Sequence, residues 1–267
     1  MNCLSFSSSL PLVGLRLLFI MFGFRVSLSS SFIYKNCSEA RFECGNISIG
    51  YPFFGGDRLR ECGHPDLELH CDGNTNTATI EMVGVKCRVM EIRPDRQTLR
   101  IARKDLLENG CCRPQTPIIN STIDSELFDL EPAPPGYINA TLYYDCPSLI
   151  SSLEYSTCNS SGYKNISVTM HNIDLDGCSA SVTFPIFHTD DFCGNPDLFS
   201  FLKEAIERGF QVKWKEDAEA YRKCNASGGA CGFDLLNNQR FCYCPHPNQN
   251  PNECPPQGMY ISILSLT

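Results

Sequence analysis

Seventeen cysteines in a chain of 267 residues constrain this sequence more than any other feature. The cytosol keeps thiols reduced, so a count this high means either a metal array or bridges made in an oxidising compartment. The N-terminus decides between them. Leu10–Phe24 is mostly apolar, with Leu-Leu-Phe-Ile-Met-Phe-Gly-Phe over 17–24, and small residues follow at 27–31. Residues 1–30 therefore read as a secretory signal peptide. The run is interrupted by Arg16 and falls short of the roughly 20 apolar residues that a membrane span needs. No membrane span beyond the signal is expected, since Met259–Leu266 is apolar but far too short.

Cleavage removes Cys3 and leaves sixteen cysteines, an even number that suits complete pairing. The expected disulfide cysteines are Cys37, Cys44, Cys62, Cys71, Cys87, Cys111, Cys112, Cys146, Cys158, Cys178, Cys193, Cys224, Cys231, Cys242, Cys244 and Cys254. Connectivity is not legible from spacing. Asn-x-Ser/Thr sequons agree with export and place expected glycans at Asn46, Asn120, Asn139, Asn159, Asn165 and Asn225. A seventh sequon, at Asn36, is set aside because its middle residue is Cys37.

The cysteines fall in two groups. Residues 37–112 hold seven and residues 137–254 hold nine, so full pairing requires a bridge between the groups. Residues 113–136 are free of cysteine and rich in Pro and acid, the composition of a linker. Residues 255–267 form a tail. Periodicity is short and β-like. Thr79–Val85, Lys86–Ile92, Gln97–Arg103, Tyr137–Tyr144 and Ser179–Phe184 read as strands, with Arg93-Pro94-Asp95-Arg96 as a turn. The adjacent apolar pair Val89-Met90 points to a bulge or to a strand apolar on both faces. One helix is expected near 196–208. Asn195 caps it, Pro196 and Asp197 suit its first turn, Leu198, Leu202, Ala205 and Ile206 share a face, and Gly209 closes it. The fold class is mainly β and disulfide-rich: two small cysteine-rich β modules, with one α-helix in the second.

Catalytic signatures are thin. There is no Gly-x-Ser-x-Gly elbow, no His-Glu-x-x-His helix and no phosphate loop before a strong helix. His64, His70, His171, His188 and His246 lack ligand spacing, and Cys111-Cys112 and Cys242-Tyr243-Cys244 read as bridges in this compartment. No metal and no cofactor are expected. Asp174/Asp176 and Asp190-Asp191 keep a secreted hydrolase in view, since a glycosidase needs two carboxyl groups at a set separation. Net charge is near −10 after cleavage, nearly all of it beyond residue 118, where 18 Asp/Glu face 8 Lys/Arg. A nucleic-acid partner is excluded on that ground.

The basic stretch from Lys86 to Arg113 is the strongest binding clue. With Val85 and Val89 inward, Lys86 and Arg88 point outward, and Arg100 faces away from Leu99 and Ile101. Arg103 extends the series. A ladder of cations at strand spacing can meet carboxylates along an extended polymer. The competing reading is an ordinary solvated sheet face with local ion pairs. Tyr51-Pro52-Phe53-Phe54 is the densest aromatic group. It reads mainly as core, with Phe54, beside Gly55-Gly56, as the member best placed to stack on a sugar ring.

These features form a larger pattern. Cys37, Cys44-Gly45, Gly50-Tyr51-Pro52-Phe53, Cys62-Gly63-His64-Pro65 and Cys71 resemble the galacturonan-binding domain of plant wall-associated receptor kinases and their leaf-rust-resistance-like relatives. Cys224 through Cys231-Gly232-Phe233, followed by Phe241-Cys242-Tyr243-Cys244, is similar to the C-terminal module that accompanies it. The resemblance implies an extracellular ectodomain at the cell wall or plasma-membrane face that contacts pectin, with an oligogalacturonide as partner. It implies no enzyme in this stretch, since no kinase domain is present. The alternative is a protein-interaction ectodomain that binds a peptide or a co-receptor.

Overall fold

Alternation of apolar and polar residues builds most of the molecule. The computed structural model describes residues 30–109, 123–131, 136–147, 154–157, 165–170, 176–187, 198–215, 217–246 and 251–256. Residues 1–29 of the expected signal peptide, Cys111, Cys112, Cys158, Cys193, Asn120, Asn159 and the Asn195-Pro196-Asp197 cap lie outside these residues. The chain divides into two compact units that use alternate stretches of sequence. One comprises Phe42–Ile49 and Leu67–Glu216. The other comprises the chain up to Arg41, Gly50–Asp66 and the chain from Asp217 onward.

In the first unit, β1 (Phe42–Cys44) and β2 (Ile47–Ile49) form a hairpin. A six-stranded antiparallel sheet runs in the order β3 (Leu69–Asp72), β4 (Thr77–Met82), β5 (Val85–Arg93), β6 (Thr98–Arg103), β12 (Phe210–Trp214), β7 (Phe128–Leu130). Its strands come from three stretches of sequence: 37–112, 113–136 and 137–254. Phe210, Val212 and Trp214 are buried while Lys213 is exposed, so β12 alternates as a half-buried strand should. A second sheet, also antiparallel, runs β11 (Ala180–Phe187), β8 (Tyr137–Tyr144), β10 (Asn165–Thr169), β9 (Glu154–Thr157). Leu142, Ile166, Val182 and Phe184 of this sheet form a core with Leu202, Ala205 and Ile206 of helix α3 (Leu198–Arg208). Leu106, on the short helix α2 (Lys104–Asn109), joins that core.

The expected helix is α3, and Gly209 closes it in the left-handed region at φ +71°. Its N–H donates to the carbonyls of Ala205 (3.0 Å) and Ile206 (3.2 Å). A Cβ at Gly209 would also collide with the carbonyl oxygen of Ile101, so glycine is required there twice over. The Val89-Met90 irregularity is a bulge: the β5–β6 register shifts between Val89 and Glu91. One strand boundary moves by three residues. β4 ends at Met82, not Val85, because Val83 (φ 49°) and Gly84 (φ 76°) form a two-residue hairpin turn. A β-branched residue seldom takes positive φ, and Val83 therefore reads as strand from sequence.

The second unit has little apolar volume and uses sulfur instead. It contains helix α1 (residues 30–39), a 3-10 turn at Arg60–Cys62, helix α4 (Ala218–Ala226) and the hairpin β13 (Ala230–Asp234)–β14 (Gln239–Tyr243). Asp217 caps α4 by accepting from the N–H groups of Glu219 and Ala220, each at 3.1 Å. Bridges Cys37–Cys62, Cys224–Cys242 and Cys244–Cys254 lie in this unit, and Cys44–Cys71 and Cys146–Cys178 in the other. Each described bridge joins cysteines of one group, 37–112 or 137–254. Cys224, Cys231, Cys242, Cys244 and Cys254 cluster together with Tyr51 packed against them. Small units that cannot bury a large core depend on such crosslinks.

Cys87 departs from the expected pairing and carries a thiol. It sits on the buried face of β5, fully enclosed, and takes no part in the described bridges. Burial pushes this thiol up to about 12, which leaves almost no thiolate at neutral pH. Cys231 takes no part in the five described bridges, and its Sγ lies 3.6 Å from the Tyr221 carbonyl.

Two predictions test these elements. Val83→Asn should raise stability by about 1 kcal/mol in urea unfolding, because asparagine accepts the left-handed region that valine resists. A loss of stability would show that the turn is not of this kind. In peptide mapping after iodoacetamide at pH 8, Cys87 should be unmodified in the native protein and labelled once guanidinium unfolds it. Native labelling, or recovery of Cys87 in a crosslinked peptide, contradicts the buried thiol.

Candidate functional site

The outer face of the six-stranded sheet carries the cations expected to bind. Strand pairing sets their places. Lys86 lies opposite Glu81 on β4, and Arg88 lies opposite Thr79 on one side and Ala102 on the other. Both are exposed, and neither forms an ion pair among the described residues. They stand two residues apart on one strand face, a separation of about 7 Å. His70, exposed on β3, lies opposite Thr79 and extends that row.

The other two expected cations are used by the fold. Arg103 pairs with Cys87 across the sheet and so faces the interior, where it is 3 % exposed. Its Nη2 and Nε donate to the two oxygens of Asp105 at 2.8 and 3.0 Å. A buried guanidinium needs such a bidentate partner, so Arg103 is structural and is corrected as a ligand-binding residue. Arg100 shares the outer face with Arg88 but is half-buried. Its Nε lies 3.4 Å from Glu91, and its Nη1 donates to the carbonyl of Arg208, the last residue of α3. A cation at a helix C-terminus satisfies one of the unpaired carbonyls there. Arg93 takes the other oxygen of Glu91 at 2.7 Å. Together, and Arg93 foremost, these guanidinium groups hold the Glu91 carboxyl below its ordinary range.

The aromatic expectation is also corrected. Phe53 and Phe54 are buried (0 % and 4 % exposed), so Phe54 supplies core and offers no face to a sugar. The least buried member is Tyr51, which is half-buried and whose ring stacks on Tyr221 of α4 with centroids 5.7 Å apart and planes within 5°. These rings line a cavity of about 200 Å³ bordered by Arg41, Arg58, Asn225 and Cys231. Arg58 is the unusual member. It is 3 % exposed, and no carboxylate pairs with it among the described residues. Its guanidinium instead donates to four backbone carbonyls: Phe53 (3.0 Å), Cys37 (2.9 Å), Ala40 (2.6 Å) and Cys62 (2.7 Å). Burial first, and the charge of Arg41 second, lower its proton affinity to about 10. Sequence reading missed Tyr221, Arg41 and Arg58 because they come from separated stretches. Only the Gly-Asp-Arg turn after the aromatic cluster hints at Arg58.

The remaining candidates are quickly placed. Cys242, Cys244 and Cys254 bring their Sγ atoms within 4.8 Å of one another. All three sulfurs are in bridges, which leaves no thiolate for a metal. Asp174, Asp190 and Asp191 lie outside the described residues. Asn46, Asn139, Asn165 and Asn225 are exposed. Asn36 is half-buried, and its side chain bonds to the Asp57 carbonyl and the Leu59 N–H. No described helix is long and apolar enough to cross a membrane.

Comparison with known proteins gives a consistent result. The family model described as wall-associated receptor kinase galacturonan-binding matches residues 37–103, and the one described as wall-associated receptor kinase C-terminal matches residues 149–247. No kinase-domain family matches the chain. Among curated proteins, the chain is 34% identical to the Arabidopsis thaliana leaf rust 10 disease-resistance locus receptor-like protein kinase-like 2.4 over 197 residues, 73% of this chain and 30% of the relative. It is 33% identical to the 1.4 protein of that series over 233 residues (84% and 32%), and 32% identical to the 2.8 protein over 200 residues (73% and 21%). The chain thus spans about a third or less of the length of these relatives. No solved structure matches. Both regions of the ectodomain are present in order, and the chain belongs to the wall-associated-receptor-kinase type of ectodomain.

Proposed function

We propose that this chain is an extracellular, wall-facing module that binds acidic cell-wall polysaccharide of the pectin class through the outer face of β4–β6. The observation that carries the reading is the pair Lys86 and Arg88. They are exposed, aligned on one strand face and without an ion-pair partner among the described residues. The match of residues 37–103 to a galacturonan-binding family supports a polysaccharide partner of this charge. Lys86 and Arg88 meet successive carboxylates along the polymer, and His70 at the edge of the row adds a polar contact. Each exposed pair contributes only about 0.2–1 kcal/mol, so affinity depends on several contacts at once. Arg100 and Arg103 act indirectly, by fixing the sheet that presents the face.

A second reading, docking to a peptide or co-receptor, is favoured by one feature. Leu236 is 95 % exposed at the tip of the β13–β14 hairpin, beside Leu235. The Asp234 carboxylate accepts from the N–H groups of Leu236 and Asn237 and so holds the tip in one conformation. An apolar side chain presented on a fixed turn suits an anchor for a protein partner.

Titration with oligogalacturonides of rising length should show affinity that increases with length and falls with salt. The double reversal Lys86→Glu/Arg88→Glu should weaken binding at least about tenfold without altering the circular dichroism spectrum, since both residues are exposed. Equal binding of neutral oligosaccharides, or indifference to the reversal, would falsify the proposal. Leu236→Asp tests the second reading. It should leave pectin retention unchanged and abolish capture of a protein partner; loss of pectin retention would show that the two surfaces are not separate.

A further inference from the structure

We propose that the Tyr51–Tyr221 cavity is a second anion site, one that takes the carboxylate and ring of a single uronic-acid unit. The inference deepens the acidic-polysaccharide reading and rests on it for the chemical class of ligand, but it concerns different residues.

Charge is the first argument. Arg58 places a full positive charge in a nearly dry position, and four carbonyl dipoles solvate it without neutralising it. Arg41 adds a second cation on the same cavity and interacts unfavourably with the first. Arg58, buried and bonded only to carbonyl groups among the described residues, gives the cavity a positive potential that a bound carboxylate relieves. The low local dielectric makes that attraction stronger than the exposed contacts of the sheet face.

Shape is the second argument. The parallel stack of Tyr51 and Tyr221 leaves Tyr221 exposed at 38 %. A flat aromatic face beside a cation suits a pyranose, which has a C–H surface and, in a uronic acid, a carboxylate at its edge. About 200 Å³ accommodates one such ring. Gly50 and Gly229 line the cavity without side chains that would fill it. A Cβ at Gly229 would clash with the Cys242 sulfur, so the bridge cluster keeps that wall bare. Asn225 on α4 also lines the cavity and offers its amide to a ring hydroxyl. The same asparagine belongs to a sequon, so a glycan there and a ligand compete for one opening.

The binding geometry follows from these parts. The carboxylate lies on the Arg41 side, charge-paired to Arg41 and stabilised through space by Arg58. The ring rests against Tyr221, and Asn225 contacts its rim. No bond is made or broken.

The experiment uses the full chain produced in the bacterial periplasm, where disulfides form but no N-glycan is attached to Asn225, so that the opening is uncovered and its lining is unchanged. Saturation-transfer NMR is run with galacturonate and, separately, with galactose. Galacturonate should bind and galactose should not. Tyr221→Ala and Arg41→Gln, each at an exposed position, should each lower galacturonate affinity about tenfold. Neither should abolish the binding of long oligogalacturonides by the sheet face, whereas Lys86→Glu/Arg88→Glu should spare galacturonate. Absence of galacturonate binding, equal binding of galactose, or indifference to both cavity substitutions overturns the inference and leaves the sheet-face reading intact. Retained galacturonate binding in a protein that ignores oligogalacturonides sinks the sheet-face reading and upholds this one.

Discussion

A guanidinium taken out of water must find acceptors for its N–H groups, and in one unit of this protein that requirement organises everything around it. Arg58 binds carbonyls at Cys37, Ala40, Phe53 and Cys62. Two of these residues, Cys37 and Cys62, are also joined by a disulfide. The end of α1, the aromatic loop and the 3-10 turn are thus held by one side chain and one bridge. Such an arrangement substitutes for an apolar core that the unit lacks the volume to form. It also leaves a charge without a counter-charge among the described residues. A buried, unneutralised guanidinium is kept only when most of its five N–H groups are bonded, four of them here, because each missing bond to a charged group costs about 1.5–3 kcal/mol. The aromatic loop and the cavity beside it inherit both properties: rigidity from the carbonyl contacts and positive potential from the charge.

The six-stranded sheet manages its cations differently. Arg103 is neutralised by Asp105, Arg100 is divided between Glu91 and the end of α3, and Arg93 completes the Glu91 pair. These contacts explain why a basic stretch of sequence does not yield a uniformly basic surface. Among the described residues of the sheet, the cations without an ion pair are Lys213 on β12 and the adjacent pair Lys86 and Arg88, at the part of β5 before the bulge. The bulge between Val89 and Glu91 matters here. It puts Glu91 opposite Arg100, so the acid falls beyond the bulge and Lys86 and Arg88 before it.

Much of this was legible in the sequence, and the limits have physical causes. Strands β4 to β6, β8, β11 and helix α3 follow from period and capping, since each buries a face that its own residues define. Gly209 was legible because a helix end and a positive φ make the same demand. The turn at Val83-Gly84 was not, because valine rarely occupies that conformation. β12 does alternate over Phe210, Val212 and Trp214, but its five residues directly follow the glycine that closes α3 and are easily passed over, and the hairpin β13–β14 shows no clean alternation. The site was less legible than the fold. Alternation places Lys86, Arg88, Arg100 and Arg103 within one pair of strands, but it cannot tell which carboxylate each will meet. Arg103 failed as a ligand residue because the face shared with Cys87 is interior. Phe54 failed because a sequence shows which aromatics cluster, and not which of them packs inward; the neighbouring Tyr51 is the one left half-buried. Cys87 was counted with the other cysteines, though it lies as a buried thiol on the enclosed face of a central strand.

The two candidate sites obey different electrostatics, and that difference bears on what each can do. Lys86 and Arg88 are bathed in solvent, so their contacts are screened over roughly 8 Å at physiological ionic strength. Their contribution is small per contact and grows with ligand length, which favours long polymers over fragments. Arg58 is shielded from mobile ions by the carbonyls and bridges around it, so its field at the cavity persists at salt concentrations that weaken the sheet face. On the two proposed readings taken together, a chain built this way would distinguish an extended polyanion from a short acidic fragment by which surface responds. The distinction does not require any movement of the backbone. It follows from placing one set of cations in water and another among carbonyl groups.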